Sequence, residues 1–512
     1  MVGVAVVAAC GRGADRSYAP DPGPLVVIHA DTALITAGAT ANLRWNAPQA
    51  TACTASGGWA GAKPTSGSQS TGALSATTSF TLTCSGPGGT ASDTMTVTVG
   101  AVSGAAFPLH TEAGKRYLVD ANGQPFFVHG DTPWSLIVQL TREQTDQYLE
   151  DRRLKGFNTI LVELIEHKFS ANPPFNVYGA GPFTVPGDFS TPNEAYFAHA
   201  EYVIAKAAEK GILVMLTPSY MGFGGGDEGW YQKMVANGEA KLRTYGQYVA
   251  NRFKAYDNVL WVQGGDYNPP EKTLLRAVAN GIRDVDPARL QTFHGMRGTS
   301  ALGFLGTTEP WLTLNNIYTD ENTVVANAFL EYARSTMPFF LIEARYEGGT
   351  VNAQVVRAQA YQTVLSGATG HLMGNTPVWN FGSGWQSALN SGGASTLTHL
   401  RNLFDSLPWW TLQPDTGNTF LTAGAGSGGS RAVAAKAAAF ALLYTPSVRA
   451  LTVNLGQLTG PTVRARWYDP TNGTYTTVPG SPFTAASGSQ TFTPTGNNAR
   501  GFGDWVLVLE SI

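Results

Sequence analysis

Between residues 107 and 405, eight short apolar runs recur with helix-like segments between them, and this alternation constrains the chain more than any other feature. The runs are Phe126–His129, Asn158–Val162, Ile212–Leu216, Val259–Gln263, Gln291–Phe293, Leu314–Ile317, Phe339–Ile342 and Gly370–Met373. Each has the length of a strand buried on both faces, and is too short for a buried helix. The intervening segments carry helix signals. Thr141 and Gln144 form a capping-box pattern, and Gly156 stops that helix. Thr191, Pro192 and Glu194 open the next, which Gly211 ends. Asn268, Pro269 and Glu271 start a third, with Leu274, Val278 and Ile282 on one face. The fifth-to-sixth interval leaves room only for a vestigial helix. Eight strand–helix repeats predict a (β/α)8 barrel; an open doubly wound sheet is the competing arrangement.

The flanks read differently, and they predict a division into 1–24, 25–100, 101–408 and 409–512. In 25–100, strand-like stretches at Asn42–Trp45, Ser79–Thr83 and Thr94–Val99 alternate with Gly, Ser and Thr, which predicts a small all-β module. In 409–512, "ARWYDPTNGTYTTV" predicts a hairpin turning at Asn472-Gly473, "GDWVLVLE" a terminal strand, and Ala432–Leu443 strands despite its alanines. Residues Val2–Ala9 are apolar and meet Cys10 after Val-Ala-Ala, as in a bacterial lipoprotein signal whose cysteine takes the lipid; another secretion signal and a chance match are the alternatives. Residues 11–24 read as a tether. The chain has three cysteines, and the simplest reading pairs Cys53 with Cys84 in a disulfide and leaves Cys10 for lipidation. An exported, secreted or cell-surface protein is expected.

Composition removes whole classes of function. With 33 basic against 36 acidic residues and a net charge of -3, nothing basic is left over to neutralise a polyanion, so no nucleic-acid partner is expected. HExxH, CxxC, GxxxxGK[ST] and GxSxG are all missing. A GxGxxG does occur at Gly224–Gly229, but Asp227 and Glu228 inside it would repel a pyrophosphate, and it reads as a glycine-rich loop after the third strand. No cofactor and no metal is expected, and the protein is read as a monomer.

In a (β/α)8 barrel the functional groups stand at the strand C-termini. The residues just past each run are Asp131 and Trp134 for the first strand, Glu163, Glu166 and His167 for the second, Asp266 for the fourth and His294 for the fifth. Tyr318 follows the sixth, Glu343, Arg345 and Tyr346 the seventh, and His371 and Trp379 belong to the eighth. Strands four and seven lie nearly opposite in an eight-stranded ring, so Asp266 and Glu343 face each other. Two carboxyls flanking a bond are what glycoside hydrolysis needs: one protonates the leaving oxygen, the other attacks the anomeric carbon or activates water. A structural salt bridge is the competing reading for either acid alone. Around the pair, Asp131, Trp134, Glu166, His167, His294, Tyr318, Arg345, Tyr346, His371 and Trp379 are expected to contact substrate, and Arg345 and Tyr318 also to hold Glu343 ionised; structural packing is the competing reading for Asp131, His294, His371 and Trp379. The inserts after strands two and three supply Phe175, Tyr178, Phe183, Phe223 and Trp230 as cleft walls.

The stretches "LVDANGQPFFVHGDTPW", "YLEDRRLKGFNTI", "NVLWVQGGDYN", "EARYEG" and "GATGHLMGNTPVWNF" together resemble the apiosidase-like glycoside hydrolase family, within the large clan of retaining (β/α)8 glycosidases. The resemblance spans residues 110–405. It implies Asp266 as acid/base and Glu343 as nucleophile, with a polysaccharide or oligosaccharide as substrate, including apiose-containing pectin. The clan pattern carries Asn-Glu where this chain has Gly265-Asp266; Asp is one methylene shorter, and Gly264-Gly265 would let the backbone approach more closely. The motif "TACTASGGWAG…TLTCSGPGG" resembles bacterial immunoglobulin-like modules, and residues 410–512 resemble the β-sandwich, labelled as collagen-binding, that often follows this barrel. A non-catalytic glycan- or matrix-binding surface protein and a clan-related endo-glycanase on another β-glycan are the competing functions.

Overall fold

The computed structural model describes residues 24, 26–30, 34–35, 38–99 and 105–512, so Cys10 and the apolar stretch before it lie outside the described residues. The chain divides into two compact units, 1–100 and 101–512. The first holds a three-stranded sheet (Val27–Ala30, Asn42–Asn46, Ser66–Ser70) and a five-stranded one built round Ala52–Gly57, Thr78–Gly86 and Gly89–Val99. Period-two patterning sends Phe80, Leu82 and Cys84 into a core with Trp45 and Trp59. On the other face, Ser79–Thr96, Thr81–Thr94 and Thr83–Ser92 pair their hydroxyls at 2.8 Å across the strands. Cys53 and Cys84 stand opposite each other on neighbouring strands of one sheet and form the expected disulfide.

The second unit is a (β/α)8 barrel followed by an antiparallel sheet domain. Its parallel strands are β1 (Val128–Asp131), β2 (Thr159–Glu163), β3 (Leu213–Thr217), β4 (Val259–Gly264), β5 (Gln291–His294), β6 (Asn315–Tyr318), β7 (Phe339–Glu343) and β8 (Gly370–Met373), in the order 5-4-3-2-1-8-7-6. Among the described residues β5 and β6 share no ladder. Asn316 closes that seam, its amide donating to Thr292 Oγ1 (2.8 Å) and to the Phe293 carbonyl (2.7 Å). Leu161, Met215, Val262, Phe340, Ile342 and Leu372 fill the interior, so the barrel is a packed core rather than a pore.

Besides two single turns at Leu136–Gln139 and Trp385–Ala388, the helices are α1 (Arg142–Leu154), α2 (Glu194–Glu209), α3 (Tyr231–Phe253), α4 (Thr273–Val285), α5 (Ala301–Leu305), α6 (Val324–Arg334), α7 (Ala353–Leu365) and α8 (Gly392–Asp405). The capping box of Thr141 and Gln144 is present at α1. At α2 the cap is Asn193, which accepts from Ala195 N–H, because Thr191 is tied to the preceding loop at Val185 and Asp188. The third expected helix begins later than its Asn-Pro signal: the Asn268 side chain is committed to the loop after β5, donating to Thr299 Oγ1 and accepting from Met296 N–H. The short fifth-to-sixth interval holds only α5, of 5 residues.

Past α8 the chain builds a sheet from Gln413–Pro414, Val433–Lys436, Phe440–Thr445, Trp505–Ser511, Thr462–Tyr468 and Tyr475–Thr477, in that spatial order, with a smaller three-stranded sheet beside it. Helix α7 is buried along nearly its whole length because the barrel covers one side and this sheet the other. Two of its polar side chains are tied to the sheet domain. Arg357 makes a two-pronged ion pair with Asp504 (2.8 and 2.9 Å), both fully buried, and Gln362 donates to the carbonyls of Gly429 and Arg431.

Candidate active site

The end of β4 is shaped by three successive residues with left-handed backbone: Gly264 (φ 90°), Gly265 (φ 120°) and Asp266 (φ 49°). A Cβ on Gly264 would lie 2.6 Å from the His294 carbonyl oxygen, and one on Gly265 2.2 Å from the Tyr220 ring. Only glycine fits either position; Asp tolerates the left-handed region better than most residues. The turn brings Asp266 against Tyr220, whose hydroxyl donates to Asp266 Oδ2 at 2.8 Å. Burial and the Asp266 charge hold the Tyr220 pKa up, so the phenol keeps its proton and remains a donor.

Glu343 ends β7 and is almost fully buried. His294 Nε2 lies 2.7 Å from Glu343 Oε2, and His294 Nδ1 accepts from the Asp266 N–H at 3.2 Å. The second bond needs the lone pair on Nδ1, so the ring carries its proton on Nε2 and donates it to Glu343. Burial raises the Glu343 pKa first; the His294 hydrogen bond opposes it, the Asp266 charge adds to it, and the Tyr346 hydroxyl opposes it again. Burial lowers the His294 pKa, but the Glu343 bond and charge raise it on balance. One ligand-type atom from each of Asp266, His294 and Glu343 lies within 4.8 Å of the others, the spacing of a cation site. Both ring nitrogens are already committed, so the imidazole turns no free lone pair towards a metal.

These groups floor a cleft of about 770 Å³ at the strand C-termini, walled by Trp134, Phe169, Tyr220, Phe223, Trp379, Arg297, Arg345 and Tyr346. Of the expected contact residues, Trp134, Arg345, Tyr346 and Trp379 line it, and Trp134 Nε1 donates to the Tyr346 hydroxyl at 2.7 Å. His294 belongs to the site but acts beneath its floor, fully buried. Tyr318 packs on His294 with ring centres 5.0 Å apart and meets Arg297 rather than Glu343.

Several expected residues lie elsewhere. Asp131 turns outward, accepting from the Tyr148 hydroxyl (2.8 Å) and meeting Arg152 of α1 at 3.4 Å inside the protein. His371 sits within the barrel wall, 3.1 Å from His129, and burial drives its pKa down to about 3. Glu166 is buried under the loop after β2, accepting from the Ser170 N–H. His167 reaches the Asp227 carbonyl and packs on Trp230. Arg345 is paired with Glu321, so it does not hold Glu343 ionised. Phe183 and Trp230 are core residues, Phe175 and Tyr178 are exposed away from the cleft, and Phe223 alone of that group lines it.

Glu163, read in the sequence as a strand-end acid without an assigned role, lines the cleft as the last residue of β2. Phe169, Tyr220 and Arg297 also line it and were not anticipated. Tyr220, past β3, and Arg297, past β5, carry no pattern that marks them.

Residues 112–411 match the family model described as "Apiosidase-like, catalytic domain", and residues 414–510 the one described as "Putative collagen-binding domain of a collagenase". No curated protein matches the chain. Among solved structures, one described as "Glycoside hydrolase" is 24% identical, with 79% of this chain and 97% of that chain covered and a TM-score of 0.69. A glycoside hydrolase family 5 structure from Bacteroides vulgatus ATCC 8482 is also 24% identical, with 79% and 93% covered and a TM-score of 0.69. At that identity both speak for the shared fold.

Proposed function

The chain belongs to the apiosidase-like catalytic-domain family, and on that premise we propose that it is a retaining glycoside hydrolase acting on a plant or microbial polysaccharide, with apiose-containing pectin as the first substrate to try. The observation that carries this reading is the placement of Asp266 and Glu343 on opposite sides of one cleft, with oxygens within 4.8 Å. Retaining pairs stand about 5–5.5 Å apart, and inverting pairs about 6.5–9.5 Å apart to admit a water. Asp266 protonates the glycosidic oxygen as the bond breaks, and Glu343 attacks the anomeric carbon to form a glycosyl-enzyme. Asp266 then takes a proton from the water that releases the sugar. Trp134, Trp379 and Phe223 offer aromatic faces to sugar rings. The experiment is release of reducing sugar from a polysaccharide panel, with the anomeric configuration of the first product followed by NMR. Retained configuration, lost in Glu343→Ala, is expected; an inverted product overturns the retaining assignment.

The protein is read as exported, with Cys10 as lipid acceptor. Wild type in a bacterial host incorporates labelled fatty acid and Cys10→Ser does not; equal labelling of the two rejects the anchor. The N-terminal module is read as an immunoglobulin-like spacer, supported by its paired sheets and their shared core.

A further inference from the structure

The reaction above leaves two acids of the cleft unused, Glu163 and Glu228, and of these only Glu163 is buried. It ends β2, is only 3% exposed, and lines the same cleft as Asp266 and Glu343. In the ring, β7–β8–β1–β2 and β7–β6–β5–β4 are equal walks, so Glu163 and Asp266 flank Glu343 symmetrically. Its backbone is fixed by a bond from its own N–H to the Trp134 carbonyl at 2.9 Å. Its carboxyl is not: Oε2 is buried and has no hydrogen-bond partner among the described residues. Buried carboxyls normally have partners, and an unmade bond at such a position is a cost to the fold. Among the described residues no cation pairs with it either, since the basic residues of the cleft, Arg297 and Arg345, are held by Tyr318 and Glu321. Burial first, then the charges of Glu166 and Asp266, push its pKa well up, which favours the neutral acid, a form with one O–H to give and a carbonyl oxygen to receive.

We propose that Glu163 is a specificity-determining residue whose carboxyl hydrogen-bonds a neutral hydroxyl of the sugar lying against Asp266. A sugar hydroxyl both donates and accepts, and so satisfies both halves of a carboxylic acid. A site built to hydrogen-bond a hydroxyl discriminates strongly against an analogue lacking it, because the protein group is then left unpaired. The inference rests on the glycosidase reading.

The test compares Glu163→Gln, which keeps a donor and an acceptor without charge, with Glu163→Leu, which removes both at similar volume. The substrate is the polysaccharide that wild type degrades best in the panel. Gln is expected to keep kcat/KM within about fivefold and Leu to lose about 10- to 100-fold, mostly as a raised KM. Both should melt at or above the wild-type temperature at neutral pH, which separates a substrate contact from a structural prop. Wild-type kcat/KM in Leu overturns the inference and leaves the glycosidase reading standing. A loss in Gln as large as in Leu also overturns it, pointing to an ionised carboxylate acting as a base or on an amino sugar. Should Leu fail to fold, the Gln result alone decides. If wild type releases no sugar from any substrate, the glycosidase reading falls and this inference with it.

Discussion

Replacing His294 with Phe removes both ring nitrogens while keeping a flat ring against Trp134 and Tyr318. Two bonds go with them, the donation to Glu343 at 2.7 Å and the acceptance from Asp266 N–H at 3.2 Å. A hydrogen bond to a charged group contributes about 1.5–3 kcal/mol, and one pKa unit is about 1.4 kcal/mol. Burial already raises Glu343 and His294 opposes that rise, so the variant should raise it further. A nucleophile must be ionised, so the acidic limb of the kcat/KM profile should move to higher pH. At a pH on the wild-type limb the loss is about 10- to 100-fold. Stability follows the same sign. A carboxyl whose folded pKa is raised favours the folded state fully below its ordinary value, and that advantage is lost as pH rises through the folded value. The melting gap between wild type and variant should therefore widen from about pH 4 towards neutrality. The assay is a pH–rate series on an aryl glycoside that wild type cleaves, with melting curves in the same buffers. An unmoved acidic limb would refute the assignment of His294 as the group that keeps Glu343 ionised.

Three further outcomes are expected. Gly265→Ala drives a methyl into the Tyr220 ring at a φ of 120°, so it should fold with a melting temperature lowered by a few degrees and lose at least about 100-fold in kcat; near-normal kcat would show that Tyr220 is not needed to aim Asp266. Arg357→Met strands the buried Asp504 carboxylate and should cost about 3–5 kcal/mol in denaturant unfolding, whereas Arg357→Met with Asp504→Asn should recover much of it; equal losses would deny the pairing. Reducing the Cys53–Cys84 bridge, with its sequence separation of 31, should destabilise the N-terminal unit by roughly 3–4 kcal/mol and leave hydrolysis unchanged; lost hydrolysis would tie the module to the cleft.

The barrel was legible in the sequence because parallel strands covered on both faces must be apolar throughout, and all eight appear within a residue or two of the runs. The opposed pair was legible because the ring geometry fixes which strand ends face each other. Side-chain direction was not. Asp131 and Glu163 both end strands, yet Arg152 and Tyr148 on α1 draw the first away from the cleft, and the second has no such partner among the described residues. Arg345 follows Glu343 closely in sequence, but its charge is taken by Glu321, past the end of β6. Each such choice is made by a residue far away in the chain, and no local pattern announces it.

The two family matches meet between residues 411 and 414, as if the molecule could be cut there. Helix α7 shows why it cannot be inherited that way. The helix is apolar towards both partners, and Arg357 has its carboxylate only in the far one. A C-terminal domain acquired by recombination at the boundary would arrive without Asp504 and with the wrong relief for α7. The two therefore pack as one unit. The same helix reaches the cleft: Gln359 accepts from the Arg345 N–H and donates to the Arg345 carbonyl, two residues beyond Glu343. Drift in the sheet domain is thus screened by the chemistry it backs, and lineages that altered one side of α7 should carry a matching change on the other.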